Sequence, residues 1–476
     1  MYGSDSTLQD FEKAYQKFLQ EAEQGNGFAM HDLGRMFADG LGRDADVGLA
    51  QKWYEKAAHW FSQAAAMDHK YAQYSLAGLY RRGRGVEQND IRAFSLYMSS
   101  AEQGNPYASL ELAKMYRDGL GTEPDLQQAE WRFQNAYSGF VVLEEKSHDD
   151  KLQYRIGQML HTGTGTSKDD EGAARYWEKS AKLGNINAQY ALGTLWLETG
   201  SGDSGQAVEW LTKAANAEHS AAQYVLGKLY QDGVYFNKDM DQAMKWFRSA
   251  AELGNEYAAY RMGCLLLLGE EIPKDVEAAV KWLSLSAEKG NPYAQYRLGM
   301  LYLKGEEYSP QVEVAMKWLQ QAAEQKNEWA FYQLGKLYLS GEHVTKNVET
   351  AVHYLGLCAE KGNQYAQYAL GKLYLCGRDV SRDREKAVEY LTASAEQGNL
   401  YASFLLEHLD AYQDPSLFLA ATRLLHHLEK LFCEEVQRPM EMKRYQIDRK
   451  RRRKLSEKKQ AQGHHRDDQE LSLIHI

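Results

Sequence analysis

The sequence predicts an all-α fold, a right-handed α-solenoid of about ten helix-turn-helix units. Three observations carry that prediction. First, a ten-residue pattern recurs as "YAQYSLAGLY" from Tyr71, "YAAYRMGCLL" from Tyr257, "YAQYRLGMLY" from Tyr293, "WAFYQLGKLY" from Trp329 and "YAQYALGKLY" from Tyr365. The last four start 36 residues apart, and further members start at Phe28, Tyr107, Lys151, Asn187 and Ala221. Second, a Gly-Asn pair closes the period at Gly25, Gly104, Gly184, Gly254, Gly290, Gly362 and Gly398. Third, seven prolines stand against 39 glycines and 32 tyrosines, a composition of helices punctuated by glycine turns. At 476 residues the length alone would suggest two or three domains. A fixed period of this size overrides that count, because stacked units share one continuous core.

The chain opens on "FEKAYQKFLQEAEQGN", which reads as a second helix without its first, so residues 1–27 form a half repeat. Ten repeats then occupy 28–400. Within "NPYAQYRLGMLYLKG", Ala294, Leu298, Leu301 and Tyr302 share one helical face, and Gly305 ends the helix in the left-handed conformation. In "PKDVEAAVKWL", Asp275 supplies the cap of the next helix and Glu277 a first-turn acid. Ala279, Leu283 and Ala287 form its apolar face, and Gly290-Asn291 stops it.

A column of glycines sits mid-helix at Gly157, Gly193, Gly227, Gly263, Gly299, Gly335 and Gly371. Each costs about 1 kcal/mol against alanine there, so close approach of the partner helix is the expected reason. A phosphate cradle is not, because helical glycine offers no unpaired N–H. Two aromatic columns follow the period: Tyr74, Tyr154, Tyr190, Tyr224, Tyr260, Tyr296, Tyr332 and Tyr368 in the first helix, and Trp210, Trp246, Trp282, Trp318, Tyr354 and Tyr390 in the second. They are read as packing between repeats rather than as a stacking ladder for a ligand. Two columns vary from unit to unit and lie three residues apart on one stripe. They supply the candidate protein-binding residues Arg155, Gln158, Lys228, Arg261, Arg297, Met300, Gln333, Lys336 and Lys372.

The pattern A-Q-Y-x-L-G-x-L-Y-x-x-G followed by V-x-K-D-x-x-x-A-V-x-W-L-x-x-A-A-E-x-G-N resembles the Sel-1-like repeat, a relative of the tetratricopeptide repeat, from residue 12 to about 407. The resemblance implies adaptors, scaffolds and regulators that bind protein partners on a concave face. Secreted branches of the family either pair cysteines in each repeat or bind secretory immunoglobulin A. This chain lacks the cysteine pairs and shows no basic, apolar export signal at Met1.

After Leu400 the pattern lapses. Residues 401–437, with Leu417, Leu419, Leu424, Leu425, Leu428 and Leu431, are expected to form a helical cap over the last repeat. Residues 438–470 form a basic tail expected to be disordered, and 471–476, "LSLIHI", match the translation of a transposon end used as a sequencing adapter. The chain is therefore expected to be a fragment of a longer reading frame. The cap and tail also resemble the C-terminal portion of relaxase/mobilisation proteins from Firmicutes conjugative elements, although no nicking motif accompanies them.

Charge divides the same way. From Arg438 onward twelve Lys/Arg face six Asp/Glu; the remaining residues hold 44 against 60, giving the total of -10. The cluster Arg449, Lys450, Arg451, Arg452, Arg453 and Lys454 suits weak contact with nucleic-acid phosphates or simple solubilisation, and both readings stay open. No nucleophile elbow, zincin pair or Walker loop occurs. The glycine-rich "RRGRGVEQ" at Arg81 and "HTGTGTSK" at His161 fall between repeat helices. No cofactor, metal or catalytic residue is assigned, the His pairs at His426 and His464 being read as solvated. Four cysteines without ligand spacing fit a reducing cytoplasm, and no apolar run is long enough for a membrane. The leading expectation is a bacterial, cytoplasmic, non-enzymatic scaffold. The alternatives are the accessory arm of a relaxase with a DNA-contacting tail, and a secreted immunoglobulin-A-binding factor.

Overall fold

A computed structural model describes residues 5–42, 44–200, 204–305 and 311–409. The predicted cap beyond residue 409, the basic tail and the last six residues lie outside them. Among the described residues there are 22 α-helices and no strand. The chain divides into two units, Met1–Ala294 and Gln295–Ile476.

In the first unit α1 (Asp5–Glu23) precedes seven helix pairs. Their first helices are α2 (Gly27–Asp39), α4 (Lys70–Arg82), α6 (Pro106–Asp118), α8 (Asp150–Thr162), α10 (Ile186–Thr199), α12 (Ser220–Asp232) and α14 (Glu256–Leu268). Their second helices are α3 (Val47–Ala66), α5 (Asp90–Glu102), α7 (Leu126–Ser147), α9 (Asp170–Lys182), α11 (Ser204–Asn216), α13 (Met240–Glu252) and α15 (Val276–Glu288). The boundary falls inside α16 (Pro292–Lys304). The second unit continues with α17 (Val312–Glu324), α18 (Glu328–Ser340), α19 (Val348–Glu360), α20 (Gln364–Cys376), α21 (Arg384–Glu396) and α22 (Leu400–Glu407). Every first helix starts one residue before the recurring motif. The irregular steps from Phe28 to Tyr71 and from Tyr107 to Lys151 have one cause: α3 and α7 are 20 and 22 residues long where most helices have 13. Seven or more extra residues are about two turns, so the buried face is retained.

Capping explains the boundaries. The Asn of each Gly-Asn pair caps the following first helix; Asn255 Oδ1, for example, accepts from Ala258 N at 2.9 Å. His69 and His219 hold the same place, each accepting through Nδ1 from a backbone N–H at 3.2 Å. Asp46, Asn89, Asp125, Asp169, Asp239, Asn347 and Asp383 cap second helices, and Asp275 accepts from Ala278 N at 2.9 Å as the sequence predicts. Gln311 caps α17 without any side-chain hydrogen bond. Gly305 has φ 64° and the Gly-Asn glycines likewise lie in the left-handed region.

The core of each pair is an alanine and leucine seam. Ala243, Phe247, Ala258 and Met262 are fully buried in the first unit, as are Ala315, Leu319, Leu334 and Leu355 in the second. Burying each large side chain is worth about 1.5–3 kcal/mol. The glycine column is where the two helices cross. A Cβ on Gly227 would stand 2.6 Å from the Phe247 ring, and one on Gly335 2.6 Å from Leu355 Cγ. Buried hydroxyls then tie the pair together: Ser100, Ser180, Ser286 and Ser394 donate to the carbonyls of Lys70, Asp150, Glu256 and Gln364 at 2.6–2.7 Å. The Gly-x-Gly loops have a packing role as well. A Cβ on Gly85 would lie 2.3 Å from the backbone of Tyr54, and one on Gly165 2.3 Å from that of Phe133.

Candidate partner-binding face

The exposed side of each first helix is built from four recurring positions. In α4, α14, α16, α18 and α20 an aromatic residue at the second position is followed three residues later by the column tyrosine, and the two variable positions come one and four residues after that tyrosine.

The tyrosines are partly buried and join neighbouring repeats, as the sequence reading holds. Tyr224 meets Tyr257 at 6.4 Å between ring centroids and Tyr260 meets Tyr293 at 6.2 Å. In the second unit Tyr332 meets Tyr365 at 6.3 Å and Tyr368 meets Tyr401 at 6.1 Å. Burial raises the pKa of Tyr74, Tyr190, Tyr224 and Tyr296. In the second helix the predicted column packs as partly buried rings, Trp246 against the α11–α12 cluster and Trp282 against the α13–α14 cluster, and the fully buried position is the residue after it. Leu211, Phe247, Leu283, Leu319, Leu355 and Leu391 are buried, while Trp210, Trp246, Trp282 and Tyr354 are half-buried beside them.

The two variable columns separate. Residues of the first are drawn into contacts with the preceding repeat. The Arg155 guanidinium lies 5.5 Å over Tyr107 and 5.6 Å over Phe140. Arg261 Nε donates to the buried Gln231 Oε1 at 3.1 Å, and Gln333 hydrogen-bonds Tyr296. Arg81 and Glu111, at 2.7 Å, form the equivalent link earlier in the chain. Arg297 is exposed. Residues of the second column stand over the tyrosine one turn earlier. Gln158 Nε2 donates to Tyr154 Oη at 2.9 Å, and Lys228 and Lys336 sit 5.9 and 5.6 Å from the rings of Tyr224 and Tyr332. Gln158, Lys228 and Lys336 are exposed; Met300 and Lys372 are half-buried.

Two features were not predicted. The opening aromatics are largely exposed, with Tyr257 at 52%, Trp329 at 51% and Tyr365 at 50%. Their signal was the first letter of the recurring motif. The second feature is a groove between successive second helices. It is lined by Arg248, Lys281, Trp282, Leu285 and Lys289 in the first unit, and by Phe331, His353, Tyr354, Leu357 and Lys361 in the second. No group of three metal-ligating side chains occurs among the described residues, and no described helix is long and apolar enough to cross a membrane.

Geometry of this kind defines an all-α repeat solenoid. A family model for the Sel1 repeat matches residues 27–59, 55–69, 70–105, 106–131, 151–185, 186–219, 220–255, 256–291, 292–327, 330–363 and 364–399. The chain belongs to the Sel1 repeat family. Its eleven matched segments compare with ten helix pairs, the short segment 55–69 covering the extended end of α3. Among curated relatives, the exopolysaccharide production negative regulator of Rhizobium meliloti (strain 1021) is 29% identical over 159 residues, 31% of this chain and 57% of the relative. Chitin synthase regulatory factor 1 of Schizosaccharomyces pombe is 31% identical over 106 residues, 21% and 23% of the two chains. The chain spans about half the length of three relatives, 57%, 51% and 56%. A crystal structure of a protective antigen from uropathogenic Escherichia coli, described as displaying an SLR fold, aligns with TM-score 0.50 and 25% identity over 88% of this chain and 94% of the other.

Proposed function

We propose that this protein is a non-catalytic scaffold that binds partner polypeptides along the exposed stripe of its first helices. One observation carries the reading. Positions that build the repeat recur from unit to unit, whereas the second column changes through Gln158, Thr194, Lys228, Cys264, Met300 and Lys336 over a constant tyrosine floor. Exposed positions that a repeated fold does not dictate are where specificity resides. Relatives named as regulators of exopolysaccharide production and of chitin synthase support a regulatory setting for such a scaffold.

The test is site-specific photo-crosslinking in cells, with a benzophenone side chain at Gln158, Lys228 or Lys336 and, as reference, at the exposed Lys317 of α17. Adducts from the stripe positions and none from Lys317 support the reading. Adducts from Lys317 alone refute it.

The basic segment 438–470 supports a second reading, an accessory arm of a DNA-mobilisation protein. Its net charge of +6, twelve cations over six acids, is the supporting observation. Salt-sensitive retention on DNA that survives removal of this segment would sink it.

A further inference from the structure

Charge is segregated in the second unit. Helices α16, α18 and α20 carry Arg297, Lys304, Lys336 and Lys372 against one carboxylate, Glu328. Helices α17, α19 and α21 carry three cations against seven carboxylates. The lone acid of the first set is turned to the second, 3.8 Å from Lys361 Nζ. First helices of the other unit show no such bias, with ten cations against eight carboxylates. In a chain of net charge -10 this places a cationic strip on one particular set of helices.

The strip also has an aromatic floor. Trp329 and Tyr365 are half exposed, the Tyr332–Tyr365 ring contact continues that floor from α18 to α20, and Lys336 stands over Tyr332. An aliphatic surface would satisfy only the rings; a nucleic-acid strand would satisfy rings and cations alike, and the scaffold reading decides for a polypeptide. An extended peptide with carboxylates and apolar side chains satisfies both.

We infer that the first-helix face of the second unit binds an acidic, extended segment of a partner protein, its carboxylates meeting Arg297, Lys336 and Lys372 and its apolar side chains resting on Trp329 and Tyr365. Successive packed helices lie about 8–10 Å apart. An extended chain advances about 3.3 Å per residue, so acidic residues recur at about every third position of the bound segment. This inference rests on the scaffold reading and names the chemistry of its partner.

The experiment is fluorescence anisotropy on the full chain with a labelled twelve-residue peptide, Asp at every third position and Leu or Phe between. Affinity is expected to fall about tenfold when each Asp becomes Asn, and by a similar factor in the Lys336→Glu/Lys372→Glu variant at unchanged melting temperature. It also falls as salt rises from about 50 to about 200 mM. Equal binding of the Asn peptide, abolished by Trp329→Ala/Tyr365→Ala, overturns the acidic chemistry and leaves the scaffold reading standing. No peptide binding, with partner adducts still captured at Lys336, does the same. No binding and no adducts overturn both. Heparin or single-stranded DNA bound as tightly as the Asp peptide overturns the proposal in favour of a general polyanion surface.

Discussion

Gln325 Nε2 donates to Gln295 Oε1 at 2.9 Å, from the end of α17 back to the start of α16. The same link joins Gln103 to Gln73 and Gln397 to Gln367, both at 2.8 Å. The receiving glutamines are buried, and those of Gln73 and Gln367 donate their own amide to the C-terminal carbonyl of the preceding helix. Each link spans 30 residues. At that offset from Gln153 and Gln223 stand Leu183 and Leu253, and there the buried Oε1 atoms have no protein partner. Leu183→Gln and Leu253→Gln should each stabilise the protein by about 0.5–1.5 kcal/mol, and Gln397→Leu should cost about 1–3 kcal/mol. Urea denaturation decides; no gain from either leucine replacement would mean that solvent already serves those oxygens.

Two helical glycines of the second unit should respond oppositely to alanine. A Cβ at Gly335 meets Leu355 at 2.6 Å, whereas one at Gly356 meets nothing within 4 Å. Gly335→Ala should destabilise by about 1–3 kcal/mol through overpacking. Gly356→Ala should stabilise by about 1 kcal/mol through helix propensity. Thermal melts of the two variants side by side give the comparison, and a shared sign would contradict the assigned crossing.

A pH effect is expected at His219. Its ring caps α12 through Nδ1 and stacks on Tyr190 at 4.6 Å. Burial lowers its pKa below the ordinary 6.5. As pH falls the unfolded state takes the proton first, so the cap's stabilisation is fully present above about pH 6.5 and is lost below it. His219→Asn keeps a cap that does not titrate. Between pH 7.5 and 5 the variant should gain on the wild type in stability; parallel stability curves would remove the histidine from the account.

Cys358 occupies the place of the buried serines, its Sγ 3.4 Å from the Glu328 carbonyl. Burial above all, then the Glu328 carboxylate, pushes its thiol up to about 11. It should resist a thiol-specific disulfide reagent at pH 8 until the protein unfolds. Cys358→Ser should retain stability within about 1 kcal/mol, since the hydroxyl serves four other repeats. Modification of Cys358 in the native state at the rate of a free thiol would show that the pair opens there.

The stripe shows where sequence reading succeeds and where it stops. Arg155, Arg261 and Lys336 were recognisable as residues outside the repeat consensus. Nothing local distinguishes Arg155, which covers the rings of Tyr107 and Phe140, from Lys336, which faces solvent. The opening aromatics Trp329 and Tyr365 were visible only as repeat markers, because exposure is a property of what the neighbouring unit leaves uncovered.

By itself the sequence determined the helix pairs, their caps and their crossing points. Period, apolar spacing, Gly-Asn pairs and mid-helix glycines are local signals, and each acts through bonds or contacts within one unit. Tertiary structure decided the 30-residue glutamine and serine links, the division of the variable columns and the cationic strip over aromatic rings. Those depend on which side chains, 30 or more residues apart in sequence, meet once the helices are stacked, and a 36-residue period repeats the letters without recording that meeting.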